Sequence, residues 1–327
     1  MNRYVTTTLT AAIAALLLPA TAPAQVPGTA SRPAPAAPAL PAFETAQTDP
    51  NSWMGRFGPT NCAWFDLGDG VLLLDTGASS TDAKNLLAEV KRTVPDKPVR
   101  WIVMTHFRPD SNDGFAAMLP TDVMLIVNQR AVDEMQGLLR GAAGKAPTIV
   151  GVTDTLLLKG KAKTVEIHAV PAPAHTAFDV WLYEPASGVV YAGDLVTPTR
   201  CPLTIDPGAD PKQWLKVLER IEALHPQALV ATRGPAVTSA NAEIEKTRAY
   251  LKRVLEILTD MKARSAPEAR VSGELAARKI GEYCPIALDT QNVLDLYRRM
   301  TPDGSFPPGK PGKPNKPAAS APAPKKK

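Results

Sequence analysis

A mixed α/β fold in two halves, each a sheet covered by helices, is what this sequence predicts, with more helix added at its C-terminal end. Three observations predict it. Apolar runs rich in β-branched residues alternate with helical patterns from residue 61 to about 140. Between 152 and 196 the chain changes to strands broken by short turns. It then returns to helix and closes its body with a long amphipathic stretch at 240–262.

Taken in order, residues 61–75 form a predicted hairpin whose turn is Gly68-Asp69-Gly70. A helix follows, with Ser80 or Thr81 as N-cap and Leu86, Leu87 and Val90 on one face. Val99 to Met104 is a buried strand that delivers His106 to a loop. Asn112 or Asp113 can cap a short helix from Gly114 to Leu119, and Val123 to Val127 is the next strand, followed by helix at 130–140. Thr164 to Val170, Val180 to Tyr183 and Val189 to Tyr191 are strands. The 211–224 stretch is helical, with Trp214, Leu215, Leu218 and Ile221 at helical spacing, and Leu229 to Ala231 is a short strand. On the 240–262 helix, Leu251, Val254, Leu255, Leu258 and Met261 share one side.

The ends differ from the middle. Residues 1–24 carry Arg3, an apolar run through Leu16-Leu17-Leu18 and then Ala22-Pro23-Ala24, the pattern of a secretory signal cleaved after Ala24. This predicts a periplasmic or secreted protein, and no later run is long and apolar enough for a membrane helix. Residues 25–50 form a Pro/Ala-rich linker and residues 301–327 a Pro/Lys-rich tail, both expected to be disordered. Between them lie a body at 51–265 and a helical extension at 266–300. The net charge of +5 equals the six Lys less Asp303 in the last 27 residues, so the body is neutral. That argues against a nucleic-acid partner and leaves a tail able to touch an anionic surface. Cys62, Cys201 and Cys284 allow three disulfide pairings, and Cys201 and Cys284 both sit in loop-like segments beside a proline.

The chemistry is concentrated in Thr105-His106-Phe107-Arg108-Pro109-Asp110-Ser111-Asn112-Asp113-Gly114. Four other landmarks accompany it in order: Leu74-Asp75-Thr76-Gly77 before it, then Pro173-Ala174-His175-Thr176, Tyr191-Ala192-Gly193-Asp194-Leu195 and Thr232-Arg233-Gly234-Pro235. Together they resemble the metallo-β-lactamase superfamily over roughly residues 60–265, with half of the metal ligands replaced. The resemblance implies a four-layer αββα sandwich with C-terminal helical additions. It also implies a two-zinc hydrolytic centre for an ester, lactam or similar bond. Position by position, the first ion would want His106, Arg108 and His175, the second Asp110, Ser111 and Arg233, with Asp194 between them. Arginine cannot ligate. His106, Asp110, His175 and Asp194 remain as metal-ligand candidates, able to hold zinc or another divalent ion, one at most.

Two functions follow from this set. In one, a single ion with an open position makes a hydrolase of a small-molecule substrate, with Asp110, Arg108 and Arg233 as catalytic candidates and Arg108 or Arg233 stabilising an oxyanion or holding an anionic group. In the other, Arg108 and Arg233 replace the metals as counter-charges to Asp110 and Asp194, giving a metal-free pseudoenzyme that acts as a binding or accessory protein. A third, remote reading takes Asp75-Thr76-Gly77 as half of a dimeric aspartic-protease site; within the resemblance, Asp75 is instead structural, bonding backbone amides near the metal loop. His168 and His225 read as surface or capping residues. Trp53, Phe57, Trp64 and Phe107 read as packing more than as a substrate mouth, and Ser111 as a loop hydroxyl.

Overall fold

The computed structural model describes residues 45–118, 122–139, 147–202, 206–284 and 290–307. The predicted signal, most of the linker and the tail from residue 308 lie outside the described residues. The chain enters through β1 (Ala46–Asp49), β2 (Ser52–Phe57), β3 (Thr60–Asp66) and β4 (Val71–Leu74). It continues through α1 (Ser80–Thr93), β5 (Val99–Val103), α2 (Pro109–Asn112), β6 (Met124–Asn128), α3 (Val132–Leu139) and β7 (Thr148–Val152). The second half is β8 (Thr155–Lys159), β9 (Thr164–Ala169), β10 (Val180–Glu184), β11 (Val189–Gly193), α4 (Pro211–Glu222), β12 (Ala228–Ala231) and α5 (Ala240–Ala263). Two helices close it, α6 (Val271–Ala277) and α7 (Thr290–Arg299).

Strands β1 to β7 form one sheet in sequence order, and β12-β11-β10-β9-β8 form the other. The period-2 alternation of each strand builds three apolar layers from two sheets. In β3, Cys62 and Trp64 face Ala83, Leu86 and Val90 of α1, while Ala63 and Phe65 face the other sheet. Between the sheets Phe65 meets Tyr191 edge-on at 4.9 Å. Outside the second sheet, Trp214, Leu218 and Ile221 of α4 pack with Tyr250, Leu251 and Leu258 of α5. Residues of α6 and α7 join that same layer. Each fully buried Leu of these layers contributes about 1.5–3 kcal/mol. This is the expected αββα sandwich with C-terminal helices, and the disulfide Cys201–Cys284, Cα atoms 5.5 Å apart, ties the extension to the loop after β11. Cys62 is a free, buried thiol.

Three local expectations change. Ala46–Asp49, assigned by composition to the linker, pairs antiparallel with β2. Its polar side chains need no core because they are anchored, Thr48 to the Tyr191 hydroxyl at 2.8 Å and Asp49 to Lys163 at 2.5 Å. The α1 cap is Ser79, whose Oγ accepts from Asp82 N at 3.1 Å. The helix expected from Gly114 begins instead with Pro109 at its first turn and passes into a 3₁₀ turn at Asp113–Met118. Asn112 does not cap because it already lies inside α2, with its amide donating to Asp75 and the His106 carbonyl.

Candidate metal centre

The landmark residues gather at one end of the sandwich, on the segments that follow β4, β5, β11 and β12 and on the loop between β9 and β10. Asp75 follows β4 with a left-handed backbone (φ 59°). Its carboxylate accepts from Thr105 N at 2.8 Å, Thr105 Oγ1 at 2.8 Å and Asn112 Nδ2 at 2.9 Å. Burial pushes its pKa up to about 7 against the pull of these donors. When Asp75 is ionised the single Thr105 hydroxyl proton goes to it, so His106 Nδ1, 2.7 Å from that hydroxyl, is the donor of the pair. The tautomer that results leaves His106 Nε2 with a bare lone pair. Asp75 thus acts structurally, and a carboxyl buried and engaged in this way offers a second copy nothing with which to build a protease dyad.

His175 sits on a loop closed by Asp179, which accepts from Thr176 N and Thr176 Oγ1 at 2.8 Å each. Asn128 holds both ends of that loop by donating to the carbonyls of Val170 and Asp179. The His175 ring meets His106 edge-on at 5.3 Å and Trp214 at 5.1 Å. Asp194 follows Gly193, whose φ of 60° favours glycine and whose missing Cβ would press on Thr105 Cβ at 3.0 Å. Glycine there lets the end of β11 lie against the loop that carries His106. Asp194 Oδ2 is 3.8 Å from His106 Nε2 and 3.7 Å from His175 Nε2.

The ligand atoms of His106, His175 and Asp194 lie within 4.8 Å of one another, and all three residues are buried. Burial lowers the His106 pKa to about 4 and that of His175 to about 3, with Asp194 pulling the other way in both. Neutral imidazoles are the form that ligates. Burial also opposes the charge on Asp194, but Arg200 leads a set of neighbours that more than reverse it and hold the carboxyl well below its usual range. His106 Nε2 is buried without a hydrogen-bond partner among the described residues. Two imidazoles and a carboxylate around an orphaned nitrogen fit one divalent ion such as zinc.

The remaining candidates do not fit a second ion. Asp110 bonds to Arg233, and Arg108 Nε stands 3.5 Å from its other oxygen. Ser111 Oγ is buried and has no partner among the described residues. The loop bearing Arg233 is fixed by Asn61, whose amide donates to the carbonyls of Ala231 and Gly234. The expectation that Arg108 and Arg233 would neutralise Asp110 and Asp194 between them is incomplete. Both face Asp110, and Arg233 also acts on Asp194 through space, but Asp194 is bonded by Arg200, a residue that the sequence motifs do not mark. The signal for it is its place six residues after Asp194, on the loop that the disulfide anchors.

Other residues have packing roles. Trp64 is fully buried and stacks with Trp53, and Phe107 packs against Phe178 at 5.8 Å. His168 is buried, stacked on Trp181 at 4.0 Å with its nitrogens near Thr155 and Glu166. His225 is exposed, just after α4.

Residues 55–111 and 113–233 match the family described as the metallo-beta-lactamase superfamily. The chain belongs to that superfamily. Among relatives, the linear primary-alkylsulfatase of Pseudomonas sp. (strain ATCC 19151) is 22% identical over 254 residues, which make up 64% of this chain and 48% of that protein. This superfamily chain therefore spans about half the length of that relative. A solved double mutant of the sec-alkyl sulfatase PisA1 superposes with a TM-score of 0.64 at 14% identity, covering 79% of this chain and 50% of the other. The metallo-beta-lactamase FIM-1 from Pseudomonas aeruginosa, solved in a mono-zinc form, gives a TM-score of 0.52 at 19% identity, covering 64% of this chain and 95% of the other.

Proposed function

We propose that this protein is a single-metal hydrolase, with His106, His175 and Asp194 holding one divalent ion and a small-molecule ester, lactam or related bond as substrate. The observation that carries the reading is the convergence of three buried donors within 4.8 Å, two of them imidazoles kept neutral. When bound, the ion supplies Lewis acidity and an activated water at neutral pH. Thr105 fixes the His106 ring and Asp75 fixes Thr105, so the donor nitrogen is aimed before anything binds. Asp110 holds Arg233 and faces Arg108, which places two guanidiniums beside the centre to meet negative charge. The mono-zinc form of FIM-1 shows that a relative of this fold was captured with one zinc.

Export to an oxidising compartment belongs to the same proposal, supported by the residue 1–24 pattern and by the Cys201–Cys284 bond. The Arg200 bond to Asp194 favours a second reading, a metal-free binding protein in which arginine has taken the counter-ion's place. Metal analysis of protein purified without chelator, with and without added zinc, iron or manganese, separates the two. The hydrolase reading expects one equivalent per chain, and ester, lactam or sulfate-ester cleavage that His106→Ala abolishes. No bound metal at saturation, or cleavage that survives His106→Ala, would refute it.

A further inference from the structure

Three guanidinium groups stand around the His106, His175 and Asp194 set, with side-chain exposures of 20% for Arg108, 19% for Arg200 and 18% for Arg233. The carboxylates bonded to or directly facing them are two, Asp110 and Asp194. Two carboxylates therefore meet three guanidiniums at short range, and Arg108 feels a third, Asp206, only through space. Arg200 interacts electrostatically with Arg108, Arg233 and Asp110 as well as with Asp194, so these groups lie near one another. Arg200 Nε and Arg233 Nη1 are buried with no hydrogen-bond partner among the described residues, and Arg108 Nε, 3.5 Å from Asp110 Oδ1, faces that oxygen without a hydrogen bond. A purely structural role for the arginines explains two of them, one for each carboxylate. It leaves the third guanidinium and the unbonded donors of Arg200 and Arg233 unexplained. A single oxyanion answers both, because its oxygens accept from guanidinium forks and its charge pairs with the arginine that no carboxylate bonds.

We propose that Arg108, Arg200 and Arg233 form an oxyanion subsite beside the His106, His175 and Asp194 centre, and that the molecule taken by this pocket carries a terminal sulfate, phosphate or carboxylate. The inference rests on the hydrolase reading only for the bond that is cleaved; the anion contact itself needs no metal.

The test is calorimetric titration of the full chain, metal-free and zinc-loaded, with sodium sulfate, phosphate and acetate at constant ionic strength. Two variants accompany it: Arg108→Gln, which removes one charge, and Arg233→Lys, which keeps the charge on Asp110 but removes the fork. The expected result is saturable binding of at least one anion, weakened tenfold or more by each variant, with zinc stoichiometry unchanged. Binding of sulfate or phosphate without acetate supports the subsite and assigns it a tetrahedral group, and binding of acetate alone supports it and assigns a carboxylate. No saturable binding of any of the three, or equal binding by wild type and both variants, overturns it. Zinc bound without any anion overturns the subsite alone. Anion bound with no uptake of zinc, iron or manganese overturns the hydrolase reading alone.

Discussion

Replacing Arg200 with Gln should tighten metal binding. Asp194 is the carboxylate of the candidate ligand set, it is buried, and Arg200 bonds the oxygen that lies nearest both imidazoles. An incoming cation must take that oxygen from the guanidinium. A hydrogen bond to a charged group is worth about 1.5–3 kcal/mol net. At 1.4 kcal/mol per decade, removing it raises affinity by roughly 10- to 100-fold. Loss of the like charge beside the ion acts in the same direction, partly screened because Arg200 is about one-fifth exposed. The assay is competition for zinc against a chromophoric chelator at pH 7 in anion-poor buffer, where both imidazoles are neutral and protons do not compete. Arg233→Gln is the control: its guanidinium sits on Asp110, outside the ligand set, and its effect should be several-fold smaller. Equal or weaker zinc affinity in Arg200→Gln would refute the reasoning.

Because burial lowers the His106 and His175 pKa values to about 4 and 3, their ring resonances in NMR should stay in the neutral form from pH 8 down to pH 5, and a midpoint near the ordinary 6.5 in either ring would contradict the burial argument. Removing the disulfide by Cys201→Ser with Cys284→Ser opens a loop of 83 residues, a loss of about 4.5 kcal/mol by chain entropy; urea denaturation checks it, and a loss below about 1 kcal/mol would refute the chain-entropy account, the unfolded chain then being restricted without the bond. Lys163 bonds Asp49, Ser52 and the fully buried Glu184, so Lys163→Met strands a carboxylate between the sheets and should cost about 3–5 kcal/mol in the same assay, whereas a near-neutral change would refute the reading that Lys163 compensates Glu184.

Much of this fold is legible because its strands are two-sided. Val71-Leu72-Leu73-Leu74 is apolar throughout since β4 is buried by α1 on one face and by the second sheet on the other, and the Gly68-Asp69-Gly70 turn marks where it begins. Strands β1 and β8 are harder to read for the opposite reason. They are edge strands, held by backbone pairing and a few polar ties, so Ala46-Gln47-Thr48-Asp49 carries no hydrophobic period. The ligand candidates are legible because each follows a strand and a turn whose geometry demands particular residues, as Gly193 does before Asp194. Arg200 is not, because Thr197-Pro198-Thr199-Arg200-Cys201-Pro202 has no periodicity, and its partner is fixed only when the loop is folded back and the disulfide closes.

The arginines also bear on what the metal is for. Carboxylates buried without partners are costly, and in the two-metal centres that this site resembles the ions offset that cost. Here Asp110 has Arg233 and Arg108 beside it, Asp194 has Arg200, and Asp75 has three donors of its own. Every carboxylate of the centre is therefore compensated by the chain itself, so folding does not need the ion, and binding one exchanges a guanidinium for a metal on Asp194 alone. Metal binding then becomes a competition at one oxygen. A dinuclear relative loses both its counter-charge and its chemistry with its ions, whereas this protein would keep its counter-charges, so chelation should abolish any hydrolysis while leaving the chain folded, with the thermal unfolding midpoint lowered only by the ion's net binding free energy.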